Sequence, residues 1–106
     1  MKKVISSPLA PAAIGPYSQA TEAAGLVFVS GQLPIDAATG DMPEGIEAQA
    51  RQSLLNIQHI LEAAGLTMSH IVKTTVYLQD MSLFGSMNAV YATFFEGDYP
   101  ARAAFA

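Results

Sequence analysis

Cysteine is absent from this chain of 106 residues. Disulfides, thiolate nucleophiles and thiolate metal sites are thereby excluded, and any chemistry must come from other side chains. That composition is compatible with the cytoplasm, where the chain is expected to reside. Charge is scarce as well: five Lys and Arg stand against nine Asp and Glu, a net charge of −4 spread thinly rather than in runs. No basic stripe is present of the kind that phosphate backbones attract, so nucleic acid is disfavoured as a main partner. No apolar stretch approaches the ~18 uninterrupted residues that span a bilayer, so the chain is expected to be soluble with no membrane partner. Lys2 and Lys3 before Val4 and Ile5 imitate the start of a signal peptide, but Ser6, Ser7, Pro8 and Pro11 break the apolar run that a signal requires. Histidine occurs only at His59 and His70, in no zinc or facial-triad spacing, and both read as solvated surface residues. No metal site is predicted. Neither a glycine-rich phosphate loop nor a nucleophile elbow occurs.

What is present is a single apolar-rich domain over residues 1–106, without linker, repeat or low-complexity tract. Residues 26–35, rich in β-branched and aromatic types and stopping at Pro34, read as a strand and turn. Asp41 with Glu44 three positions on reads as a capping box. It would open a helix whose apolar stripe runs through Ile46, Ala50, Leu54, Ile57, Leu61 and Ala64 to a stop at Gly65. Residues 71–79 alternate as a second strand, with Val72, Thr74, Val76 and Leu78 on one face and Lys73, Thr75, Tyr77 and Gln79 on the other. A second helix is predicted over 82–96, striped by Leu83, Met87, Val90 and Phe94 and stopped by Gly97. Residues 101–106 read as the start of a further strand. Because a sheet carrying an apolar edge there would ordinarily continue, a C-terminal segment beyond the chain is expected. This order predicts an α/β or α+β layer with both helices on one face of the sheet. The strand at 26–33 is apolar on both alternations, Leu26 and Phe28 against Val27, Val29 and Leu33. Two helices cannot cover both sides, so oligomerisation through the bare face is predicted.

Arg102 is one of two arginines and sits among small residues in Tyr-Pro-Ala-Arg-Ala-Ala at the start of a strand. Held there, a guanidinium presents a rigid fork suited to a bidentate carboxylate contact; the competing reading is a surface salt bridge. Tyr17 follows a bend set by Gly15 and Pro16, either closing over a ligand or anchoring its own loop. Ser30 and Gly31 interrupt an apolar strand, which admits close approach of a ligand or a β-bulge. Asn88 falls on the Phe84, Tyr91 and Phe95 side of the second helix, where a buried amide needs partners; its default role is structural.

Six segments, Ala-Ile-Gly-Pro-Tyr-Ser-Gln, Val-Ser-Gly-Gln-Leu-Pro, Gln-Ala-Arg-Gln-Ser-Leu-Leu-Asn-Ile, Ile-Val-Lys-Thr-Thr-Val-Tyr-Leu, Met-Asn-Ala-Val-Tyr and Tyr-Pro-Ala-Arg, stand in this order along nearly the whole chain. Together they resemble the RidA/YjgF family of reactive-intermediate (enamine/imine) deaminases. The resemblance implies a chorismate-mutase-like α+β fold, a mixed β-sheet with two helices packed on one face. It also implies a homotrimer with ligand clefts at subunit interfaces and no cofactor. The implied activity is that of a 2-iminobutanoate/2-iminopropanoate deaminase, hydrolysing 2-imino or 2-enamino acids to 2-oxo acids and ammonia. Arg102 matches the family's carboxylate-binding arginine, and Tyr17, Ser30, Gly31 and Asn88 match positions lining or supporting the cleft, with Tyr17 and backbone near Gly31 and Ala104 as candidates for holding water or the nitrogen. Two positions after the arginine, where the family often carries a cysteine or hydroxyl residue, stands Ala104, whose backbone alone could contribute. The family continues into a last strand bearing a glutamate that helps position water; none of Glu22, Glu44, Glu47, Glu62 or Glu96 matches that motif, so the domain is read as truncated at its C-terminus. The alternatives are a non-catalytic module that binds or senses a small carboxylate and, disfavoured by charge, a ribonuclease or translation inhibitor.

Overall fold

The computed structural model describes residues 1–106. It opens with an antiparallel meander of β1 (Lys3–Ile5), β2 (Ala20–Ala23) and β3 (Leu26–Val29), paired in that order. Two of these strands were not expected. Ala-Thr-Glu-Ala in β2 has little of the β-branched and aromatic character that marks strands. The β2–β3 hairpin turns on Ala24 and Gly25, both at positive φ (53° and 77°), without the Asn-Gly or Asp-Gly that normally signals such a turn. β3 itself is shorter than the 26–35 run. Ser30 makes one more backbone bond, its N–H to Gln19 C=O at 2.9 Å, and the chain then leaves the sheet as a loop.

Helix α1 (Ile46–Ala63) follows the predicted stripe, but its start differs. Gly45, at φ 87°, is the N-cap with no side-chain cap, and the Asp41–Glu44 pair lies in the preceding loop. Pro43 and Gly45 keep residues 43–45 out of the helix, so the spacing that imitates a capping box falls one turn too early. Gln49 closes the gap by donating from its amide to Pro43 C=O at 3.0 Å. The C-terminus is as predicted. Gly65 at φ 75° lets Leu66 N–H reach Leu61 C=O at 2.8 Å and its own N–H reach Glu62 C=O at 3.0 Å, the paired bonds that end a helix on glycine.

Strand β4 (Lys73–Tyr77) leads through the 3₁₀ turn Met81–Leu83 into α2 (Phe84–Ala92), and β5 (Ala101–Phe105) returns parallel to β4. α2 is shorter than the predicted 82–96 segment, since its stripe begins in the 3₁₀ turn and ends in irregular backbone before Gly97. Asp80 caps that turn by accepting from Ser82 N–H at 2.8 Å, which holds its carboxyl below the ordinary aspartate value.

The architecture is α+β, as predicted, with the strands in a three-stranded antiparallel and a two-stranded parallel ladder. α1 packs beside α2, and Leu54, Leu61, Met68, Leu78, Met87, Tyr91 and Phe95 form the larger core. Ile60, fully buried, carries the other side of α1 onto Ile5, Ala10 and Ala20, with Val29 touching both clusters. Each side chain of this size removed from water contributes roughly 2 kcal/mol, so the helices are fastened mainly by these apolar contacts. The meander register puts Ile5, Ala20 and Val29 on the covered face and Val4, Thr21 and Phe28 on the other. Leu26 and Phe28 are accordingly 53% and 58% exposed, and the predicted bare face is present.

Candidate active site

Arg102 is the second residue of β5 and lies in register with Thr74 of β4. Thr74, Val76 and Leu78 point inward while Lys73, Thr75 and Tyr77 are exposed, so the alternation carries Arg102 to the helix-facing side. Its neighbours Ala101 and Ala103 leave room for the long side chain to reach α2. There it meets residues one turn apart on a single helical stripe. Phe84 and Tyr91 present ring faces 5.2 and 4.7 Å from the guanidinium carbon, and Asn88 between them accepts from Nη1 at 2.6 Å. Tyr91 is buried, and its hydroxyl is 2.7 Å from Thr74 Oγ1.

The partners of this cation are thus an amide oxygen and two π-faces, all neutral. Ring faces stabilise a guanidinium by about 0.5–2 kcal/mol each and leave its edge, where the N–H donors lie, unobstructed. Neutral partners hold the group in place without cancelling its charge, and the site therefore retains an attraction for an anion. The salt-bridge alternative for Arg102 finds no carboxylate here.

Tyr17, Ser30 and Gly31 form a second group. Ser30 Oγ donates to Ser18 C=O at 2.7 Å, tying the end of β3 to the Tyr17 loop. Buried Gln19 holds the other side of that loop: its carboxamide accepts from Ser7 N–H at 2.7 Å and donates to the carbonyls of Ala10 and Pro11. Tyr17 is 51% exposed, its ring resting where a Cβ on Gly15 would come within 3.5 Å. It borders an open depression of about 370 Å³ shared with Lys2, Thr21, Phe28 and Ser30. The β2–β3 ladder ends at Val29, so Ser30 and Gly31 lie beyond the paired strand rather than within it, and space beside Gly31 is open.

The candidates therefore assemble as two half-sites. Arg102 and Asn88 touch, and Ala104, half-buried and paired with Val76, lies two residues along the same strand. Tyr17 and Ser30 share the depression, whose lining includes none of Arg102, Asn88 or Ala104. Sequence reasoning had not assigned Phe84, Tyr91 and Thr74 to the arginine, although 84, 88 and 91 have the spacing of one helical face. It also passed over Asn56, fully buried in α1, which donates to Leu33 C=O at 3.1 Å and Ile35 C=O at 2.9 Å and so fixes the loop that follows Gly31.

The histidines do other work. His59 Nδ1 lies 3.2 Å from Leu9 C=O, while His70 Nδ1 accepts from Thr67 N–H at 3.0 Å and caps the 3₁₀ turn Met68–His70. No three His, Cys, Asp or Glu residues gather as a metal site would need. No helix is long and apolar enough to cross a membrane.

The family model for endoribonuclease L-PSP matches residues 7–106. A mouse 2-iminobutanoate/2-iminopropanoate deaminase is 48% identical over 106 residues, covering 99% of this chain and 78% of the relative. The crystal structure of the Escherichia coli YjgF gene product superposes with a TM-score of 0.94 at 45% identity, covering 97% of this chain and 84% of that one. Escherichia coli TdcF, solved with bound serine, superposes with a TM-score of 0.94 at 42% identity, over 97% and 84%.

Proposed function

This chain belongs to the endoribonuclease L-PSP (RidA/YjgF) family, and from that premise we propose that it hydrolyses reactive 2-imino and 2-enamino acids to 2-oxo acids and ammonia. The observation that carries the proposal is the Arg102 guanidinium, held by two rings and one amide with its charge uncancelled. A 2-imino acid presents a carboxylate next to its C=N carbon. Once that carboxylate lies in the fork, the electrophilic carbon is fixed a bond's length away, and attack by a bound water becomes effectively intramolecular. Water adds to the C=N carbon, both of its protons pass in turn to nitrogen, and the C–N bond breaks as the added oxygen becomes the carbonyl, releasing ammonia and leaving the 2-oxo acid. Protonated imines are intrinsically electrophilic, so positioning and a proton transfer suffice and no covalent enzyme intermediate is required.

Tyr17 and the backbone at Gly31, with Ser30 beside them, are assigned to the opposite wall of the cleft and the backbone at Ala104 to the arginine side, where these groups hold water or the departing nitrogen. Because Tyr17 and Ser30 border a depression that Arg102 does not reach, the complete cleft is assigned to a junction between protomers of a homotrimer. The exposed face of Val4, Leu26 and Phe28 supports that assembly. The binding of serine, itself an amino acid carboxylate, to TdcF supports a small carboxylate as ligand. We place the reaction in the cytoplasm.

Arg102→Lys keeps the charge and removes the planar fork. It is expected to lower kcat/KM for 2-iminobutanoate roughly 10- to 100-fold, the range set by losing one charge-assisted bond. Ammonia release at the parental rate from a folded Arg102→Lys protein would remove the carboxylate clamp.

A further inference from the structure

The sheet side of the arginine site contains a contact that the hydrolysis itself does not need. Tyr91 is 5% exposed, its ring face lies 4.7 Å from the Arg102 guanidinium carbon, and its hydroxyl is fixed 2.7 Å from Thr74 Oγ1. Thr74 is also the register partner of Arg102 across the parallel β4–β5 ladder. The backbone of Arg102 and the ring under its head group are thus referred to the same residue, one through the ladder and one through a hydroxyl pair. We propose that Thr74 and Tyr91 are positioning residues that preset the Arg102 fork for the substrate carboxylate, an inference that rests on the carboxylate reading of Arg102.

Conformational freedom decides what such presetting is worth. An arginine side chain has many rotamers, and fixing it is among the larger side-chain entropy losses, up to roughly 2 kcal/mol. If that ordering is completed during folding, none of it is charged to binding. Asn88 fixes one terminal nitrogen, but a single hydrogen bond leaves the guanidinium plane free to swing about it. The rings of Phe84 and Tyr91, 5.2 and 4.7 Å from the guanidinium carbon, limit that swing. Of the two, Phe84 has no polar anchor and is held by packing alone, whereas Tyr91 is pinned at its far end by Thr74. The ring also packs against Phe95, at a centroid distance of 4.9 Å and an interplanar angle of 43°. Loosening the hydroxyl pair frees the ring to tilt, and the fork then spends only part of its time in the competent orientation.

A fork that is competent for a fraction of the time weakens apparent substrate affinity by that fraction. Once the carboxylate is bound it pins the fork itself, so the chemical step proceeds as before. The signature of a presetting residue is therefore a raised KM with an unchanged kcat. A residue that merely supports the fold lowers the melting temperature and the amount of active protein, and leaves KM where it was.

Thr74→Val is nearly isosteric and removes only the hydroxyl. It is expected to raise KM for 2-iminobutanoate about 5- to 10-fold with kcat within about twofold, and Thr74→Ser, which keeps the hydroxyl, is expected to return KM to near the parental value. Arg102→Lys is measured alongside. The ¹⁵N spectrum of the arginine side chains supplies a second measurement that needs no turnover. The chain has only Arg51 and Arg102, so an Arg102→Lys sample assigns both Nε–H signals directly. The Arg102 signal is expected to be slow to exchange and rigid in the parent and in Thr74→Ser, and mobile in Thr74→Val. An unchanged KM and an equally rigid Nε–H in Thr74→Val, with Arg102→Lys impaired, would overturn the presetting role and leave the clamp standing. Parental activity in Arg102→Lys would overturn both.

Discussion

The chemistry proposed for this chain depends on what surrounds Arg102 as much as on the residue itself. A guanidinium beside a carboxylate is a closed ion pair; beside Asn88 Oδ1, Phe84 and Tyr91 it remains a cation with no counter-charge. Asn88 is the position where that difference can be reversed by one atom. Asn88→Asp places a carboxylate oxygen at the 2.6 Å contact and supplies internally the partner that substrate would otherwise provide. The expected result is a thermal midpoint unchanged or raised together with a kcat/KM at least about tenfold lower, measured by melting and by ammonia release. Parental activity in a folded Asn88→Asp protein would mean that the Asn88 side of the fork is not where the ligand charge is met. Arg102 was legible in the sequence because arginine is rare in this chain and its neighbours are small. The partnership with Tyr91 was less so: an aromatic residue on an apolar helix face reads as core, and Tyr91 is core as well as cradle.

At the scale of the element, the two helices and β4 were legible from periodicity, since each shows a stripe or alternation several residues long. Their ends were less so. The Asp41–Glu44 spacing matches a capping box, yet Pro43 and Gly45 displace the helix start, and a side-chain pattern without the backbone to use it has no effect. β1 and β2 are three and four residues long and gain their stability from pairing, β1 with β2 and β2 with β3, a contribution that the pattern within either segment cannot reveal. The β2–β3 turn hides itself because Ala24 occupies a left-handed conformation usually given to Gly, Asn or Asp. Ala24→Asn relieves that conflict and is expected to stabilise the chain by roughly 0.5–1 kcal/mol, seen as a rise of a few degrees in the melting midpoint. A lower midpoint would show that Ala24 is favoured in its turn by something other than backbone conformation.

Across the whole molecule, the candidate residues fall on two separate sides of the chain. Arg102, Asn88 and Ala104 lie on the β5–α2 side, whereas Tyr17 and Ser30 border a separate depression, and the sheet face between Val4 and Phe28 is bare. An apolar face predicts association, and the division of the candidate residues predicts that association completes the cleft. Leu26→Glu tests both at once, because Leu26 is 53% exposed on that face and outside the depression. Sedimentation is expected to show the assembly reduced to monomers with circular dichroism retained, and hydrolysis is expected to be lost with it. A monomeric variant with parental turnover would place the whole cleft in one chain. The bare face could be read from the double apolar alternation of residues 26–29, but the division of the site could not, since sequence order says nothing about which edges of a fold meet.

The most direct test of the account is a crystal of the protein soaked with 2-oxobutanoate, the product of 2-iminobutanoate hydrolysis. The account predicts the carboxylate oxygens within about 3 Å of Arg102 guanidinium nitrogens, with the keto carbon facing Tyr17 of a neighbouring protomer. A ligand bound elsewhere, with Arg102 still engaged only by Asn88 and the two rings, would contradict it.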